Sequence, residues 1–182
     1  MANERLEGVQ IVMVISPDQF RDEELTIPKE AFLAEGARVR TASTRLGEAK
    51  GMLGATANVG VCVSALYADQ IDCLVVVGGM GSPEYLWNDA HLHALLKELN
   101  SQHKVLGAIC LSSAVLANAG LLSGKQATVY PTAESLKALK DGHAVYLEQP
   151  VVQDGRIITG DGPPAAAEFA ETIIKELAKV KV

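Results

Sequence analysis

Aromatic residues make up only 4% of the 182-residue chain, so its interior must be assembled mainly from Ala, Val, Ile and Leu. Cysteine is scarce too. Cys62, Cys73 and Cys110 fall in neither metal-ligand nor disulfide-framework spacing, which suggests reduced thiols in a cytoplasm. No apolar run exceeds strand length, so none spans a bilayer, and the polar start MANERLEGVQ carries no apolar signal core. Basic clusters are missing and the formal net charge is −6, which argues against nucleic acid or an anionic membrane surface as partner. With 48% hydrophobic residues and 21% charged, the chain is expected to form one soluble cytoplasmic domain over residues 1–182.

Strand-like and helix-like segments alternate along the chain. VQIVMVI (9–15), ARVRTAS (37–43), DCLVVVGG (72–79) and KVLGAI (104–109) have the composition of buried parallel strands. Between them lie helical stretches. The first runs through RDEEL to Gly36, with Pro28 expected at a kink or a first turn, and NDAHLHALLKELNSQ (88–102) opens on an Asn or Asp cap. Residues 44–60, with glycines at 47, 51, 54 and 60, are expected to form a loop carrying a short hairpin. Two or three strands are expected within 126–160, beside the helical AESLKALK. A last helix starts near Pro163–Pro164 with Phe169, Ile173 and Leu177 on one face. This alternation predicts an α/β fold with a mostly parallel sheet, whose site lies at the carboxyl ends of the strands. Three such ends carry unusual residues: Asp18–Glu24, Gly78–Gly79 and Cys110.

GAICLSS (107–113) places a thiol where a strand turns into a helix. Such a nucleophile elbow needs small residues two positions to either side, and Ala108 and Ser112 supply them. The helix start aims its first amides at the sulfur, which favours the thiolate. Other constellations are weaker. His91 and His93 are two apart on a helix, so they form no metal pair and are expected to be solvated, and His103 and His143 have surface contexts. GGMGSPE lacks the Lys-Ser/Thr of a phosphate-binding loop, and Asp161 is expected to cap the final helix. No metal or cofactor is expected.

GAICLSSAVLANAGLLSGKQATVYPT resembles the core segment of the ThiJ/PfpI (DJ-1/PfpI) superfamily. FRDEELTIP (20–28), DCLVVVGGMGSPEYL (72–86) and ITGDGPPAAAEFAETII (158–174) resemble its other blocks in order and spacing. The resemblance covers nearly the whole chain. It implies a flavodoxin-like three-layer sandwich, a homodimer or higher homo-oligomer, and Cys110 as the reactive centre. By position it makes Glu24 the carboxyl that hydrogen-bonds the thiol, and Gly79 and Leu111 the backbone donors of an oxyanion hole. Glu84 matches the acid that reaches a neighbouring subunit's site in the PfpI-like branch.

Two departures bear on function. Leu111 stands where the protease-like branch has a histidine, and Tyr130 stands where the DJ-1-like branch has one before the proline of VYP. Hydrolysis of an amide needs a general base for the nucleophile and an acid for the leaving amine, and leucine supplies neither. The resemblance therefore implies chemistry on small electrophilic carbonyls, of the glyoxalase or deglycase kind, with little peptidase activity. The alternatives are a redox-sensing or chaperone-like protein that oxidises Cys110 reversibly, and a scaffold whose cysteine is a relic.

Overall fold

Short aliphatic runs alternating with amphipathic segments build a seven-stranded sheet between two helical layers. The computed structural model describes residues 4–180. Its strands are β1 (Gln10–Val14), β2 (Asp18–Phe20), β3 (Arg38–Ser43), β4 (Gly47–Gly51), β5 (Thr56–Val59) and β6 (Val61–Cys62). They continue as β7 (Cys73–Val76), β8 (Val105–Ile109), β9 (Gln126–Ala127), β10 (Val145–Tyr146), β11 (Val151–Asp154) and β12 (Ile157–Gly160). The helices are α1 (Asp22–Ala34), α2 (Ser82–Tyr85), α3 (Ala90–Ser101), α4 (Ser113–Asn118), α5 (Ala133–Asp141) and α6 (Ala166–Val180).

The main sheet has the order β11-β12-β8-β7-β1-β3-β6. Every neighbouring pair is parallel except β11 with β12. Alternation along β1 divides the core. Ile11 and Met13 pack with Phe32 of α1 and Phe169 and Ile173 of α6. Val12 and Val14 pack with Leu92 and Leu96 of α3 and Val115 and Leu116 of α4. Burying one such side chain contributes about 1.5–3 kcal/mol. Gly107 in β8 sets the closeness of α6, because a Cβ there would lie 2.9 Å from Ile173 and 3.0 Å from Phe169. This is the flavodoxin-like sandwich, and it makes β1, β7 and β8 neighbours, so their carboxyl ends converge.

Four local expectations need correction. Pro28 sits inside α1, which starts at Asp22 because three acidic residues, Asp22, Glu23 and Glu24, favour its amino end. Residues 126–160 hold four short strands, β9 to β12, since two-residue bridges carry no periodic signal. Asp161 provides no side-chain cap: a 3-10 turn at Pro163–Ala165 intervenes before α6, and its N-cap is Gly162. His93 is held by its ring, which lies 2.8 Å from the Trp87 carbonyl, where a free surface histidine was expected.

The expected hairpin forms from β4 and β5, and it joins β2 in a small second sheet beside the carboxyl ends. Its tip is tied to α1. Asp22 accepts hydrogen bonds from the Leu53 and Ala55 amides at 3.1 and 2.9 Å. Among the described residues no helix is long and apolar enough to cross a membrane.

Candidate active site

Cys110 follows the last residue of β8 and takes φ +61°, a left-handed conformation that costs a side chain energy and exists only where the surroundings enforce it. The enforcement is visible. Ser112 donates to the Val77 carbonyl at 2.6 Å and shares a 2.7 Å bond with Ser82. Trp87 Nε1 donates to the Leu111 carbonyl at 2.9 Å, and the Tyr130 amide donates to the Cys110 carbonyl at 3.2 Å. The elbow is thereby tied to β7, to α2 and to the segment after β9.

Two glycines let the neighbouring chains approach. A Cβ on Gly78 would lie 2.5 Å from Glu24 Oε2 and 2.6 Å from Cys110 Cβ. Gly79, at φ +114°, would drive a Cβ into the Gln19 carbonyl and to 2.5 Å from the Arg21 nitrogen. The Arg21 amide donates to the Gly78 carbonyl at 2.9 Å, which locks the start of α1 against the end of β7.

Glu24, in the first turn of α1, is fully buried. Its Oε2 accepts from the Gly78 amide at 3.0 Å, while Oε1 is buried without a hydrogen-bond partner. Burial pushes this carboxyl up to about 7, against the downward pull of the Cys110 thiol and the Gly78 amide. Burial also pushes the Cys110 thiol up, and the charge of the Glu24 carboxylate adds to it. The Leu111 and Gly79 amides beside the sulfur work in the opposite sense. The lowering expected from the helix start is therefore outweighed, chiefly by burial. The thiol and the carboxyl titrate as a pair.

The structure brings Cys110, Glu24, Gly79 and Leu111 together. Tyr130 lies at the rim, half exposed, and helps to line a cavity of about 300 Å³ in front of the thiol. Glu84 is exposed in α2 and is not among the residues lining that cavity. The remaining wall comes from Arg21, Met52, Met80 and Pro163, none of which sequence reasoning singled out. Arg21 stood inside the quoted block FRDEELTIP and was legible as a charge next to the expected carboxyl. Met52 had no signal, because the hairpin tip that delivers it folds back from a different sheet. Among the described residues no cluster of three His, Cys, Asp or Glu side chains is placed to hold a metal ion.

The model of the DJ-1/PfpI family matches residues 10–176. An uncharacterized protein of Methanocaldococcus jannaschii is 43% identical over 176 residues, 97% of this chain and 86% of that protein. A protein of Pyrococcus abyssi named a deglycase is 30% identical over 166 residues, 91% of this chain and 98% of its own length. Among solved structures, a ThiJ/PfpI domain protein from Brachyspira murdochii superposes with a TM-score of 0.89 at 29% identity, covering 93% of this chain and 96% of that one. Drosophila melanogaster DJ-1beta does so at 0.83 and 28% identity, covering 93% and 90%.

Proposed function

The chain belongs to the DJ-1/PfpI family, and from that premise we propose that Cys110 adds to small electrophilic carbonyls such as α-oxoaldehydes, with Glu24 as its proton partner. One observation carries the reading: a thiol faced by two backbone amides beside a buried carboxyl that titrates near neutral pH. In the addition, the thiol proton passes to Glu24 and the sulfur bonds the aldehyde carbon. The C=O electron pair moves onto oxygen, where the Gly79 and Leu111 amides hold the charge. Glu24 then returns the proton, giving the neutral hemithioacetal. The relative named a deglycase supports chemistry of this kind.

Peptide hydrolysis asks more of the site. A positioned general acid–base is typically worth about 10²–10⁴ in rate, and with Leu111 beside the sulfur there is no imidazole to fill the role. Tyr130 is an accessory wall in this reading. Glu84, with no imidazole to orient, is a surface acid. The protein works in the cytoplasm as a homodimer or higher homo-oligomer, a state that sedimentation would measure. The exposed Leu46, Leu53 and Met80 supply apolar surface for association.

The test is methylglyoxal turnover by the wild type, Cys110→Ser and Glu24→Gln, with a peptide substrate in parallel. Slow aldehyde turnover, lost in Cys110→Ser and reduced in Glu24→Gln, is expected, with no peptidase activity above background. Turnover that survives Cys110→Ser overturns the proposal. A second reading, reversible oxidation of Cys110, draws on the unpartnered Glu24 Oε1, which when protonated donates to a sulfinate oxygen. Absent turnover, together with a mass gain confined to Cys110 under mild peroxide, would favour that reading.

A further inference from the structure

We propose that Arg21 makes the Cys110 cavity selective for carbonyl compounds that carry a carboxylate, so that short oxo acids are its preferred ligands over neutral dicarbonyls. This rests on the reading of Cys110 as a carbonyl-reactive thiol and adds the class of compound it receives.

The cavity has one charged wall. Arg21 lines it together with Cys110, Leu111, Gly79, Met52, Met80, Tyr130 and Pro163, so everything except Arg21 and the reacting thiol is apolar side chain, aromatic rim or backbone. The guanidinium is fixed rather than waving in solvent. Its Nε and Nη2 donate to the two oxygens of Glu23 at 2.7 and 3.2 Å, and its side chain is 28% exposed. Its own amide is tied to Gly78, next to the carboxyl that faces the thiol.

That pairing leaves the other edge of the guanidinium open. Nη1 and the second hydrogen of Nη2 have no acceptor among the described residues. Two parallel N–H groups on a planar cation match the two oxygens of a carboxylate. Glu23 offsets part of the charge, but an ion pair bound on one edge remains a donor on the other. The Arg21 charge is also felt by Glu24 and by Cys110, which places it within electrostatic range of the reacting sulfur. A small molecule with an aldehyde carbon at Cys110 and a carboxylate one bond away would meet both, and about 300 Å³ accommodates it. In that complex the carboxylate is a spectator. The C–S bond forms, the carbonyl π pair goes to oxygen, and the Glu24 proton completes the hemithioacetal.

Iodoacetate and iodoacetamide differ in charge and little in size, and both draw on the same thiolate, so the ratio of their rates cancels any change in thiol pKa. At Cys110, followed by peptide mass mapping, the iodoacetate-to-iodoacetamide ratio is expected to fall about tenfold in Arg21→Gln relative to wild type. Glyoxylate is expected to protect Cys110 from alkylation at lower concentration than glyoxal, its neutral counterpart, and Arg21→Gln to abolish that difference. Arg21→Lys, which keeps the charge and loses the fork, should retain most of the rate ratio but protect less well with glyoxylate. An unchanged ratio in Arg21→Gln, or equal protection by glyoxylate and glyoxal in wild type, overturns the proposal. The two readings fail separately. Glyoxal turnover without charge preference defeats the role of Arg21 alone, whereas charge preference without any turnover supports that role and defeats the catalytic reading.

Discussion

Glu24 is the residue on which the thiol chemistry turns, because the same burial that makes it a proton store also makes it costly. Its carboxyl ionises at about 7 in the folded chain against 4.5 ordinarily. A folded-state value above the unfolded one means that the native protein holds its proton more tightly. The stabilising contribution is complete below about pH 4.5 and disappears as pH rises through about 7. At 1.36 kcal/mol per unit the loss amounts to about 3 kcal/mol. Glu24→Gln keeps an acceptor for the Gly78 amide and removes the ionisation. Its stability advantage over wild type in urea should therefore be small at pH 5 and grow towards pH 8. An advantage equal at both values would show that the carboxyl does not titrate between them. In the same variant the alkylation rate of Cys110 should lose its inflection near pH 7, leaving a single thiol titration. This pairing was half legible in the sequence. The resemblance brought Glu24 to Cys110, but the upward push on both groups comes from burial, which no local spacing encodes.

At the level of elements, the site is the meeting of three strand ends with a hairpin that belongs to another sheet. The strand ends were readable: β-branched runs ended by Gly78–Gly79 and by Cys110 mark β7 and β8, and neighbouring parallel strands bring those ends together. The hairpin's role was not readable. Residues 47–59 mix glycines with small, charged and apolar side chains in no clear period, and nothing in them announces that Met52 will line the cavity in front of the thiol. Asp22 explains it. Among the acids at the amino end of α1, it alone accepts hydrogen bonds from the backbone of the hairpin tip. Its carboxyl fills the space that a side chain on Gly51 would need. Asp22→Ala removes both acceptors and should cost roughly 1–3 kcal/mol, mostly as local opening. Hydrogen exchange at the Leu53 and Ala55 amides should then accelerate far more than exchange in β7 or β8. Uniform acceleration across the chain would mean that Asp22 supports the whole fold instead of the tip.

For the whole molecule, the alternation of strand and helix was enough to place the chain among parallel α/β sheets, while the strand order was not. The edge β11-β12 runs antiparallel because Gly155 turns the chain straight back, a local event that an alternation rule cannot foresee. The fastening of the first described residues was equally hidden, since Arg5 lies 30 positions from one partner and 166 from the other. The Arg5 side chain donates to both oxygens of Glu35, at the end of α1, and of Glu171, in α6, over 2.7–3.1 Å. The Leu6 amide adds a 2.8 Å bond to the Glu35 carbonyl. One side chain thus clips the chain's beginning to both helices on a single face of the sheet, on the side where Phe32 and Phe169 form the core. Arg5 is about one-third exposed, so screening reduces each ion pair, and the clamp should contribute only about 1 kcal/mol. Arg5→Ala is expected to lower the unfolding free energy measured in urea by that amount at low salt, and the deficit should shrink in 1 M NaCl, where charges are screened within about 3 Å. Cys110 alkylation should be unaffected, because the clamp acts where α1 ends and the thiol sits where α1 begins. A deficit that ignores salt would assign the effect to the packing of the Arg5 side-chain carbons, and an altered Cys110 rate would show that α1 transmits strain along its length to Glu24.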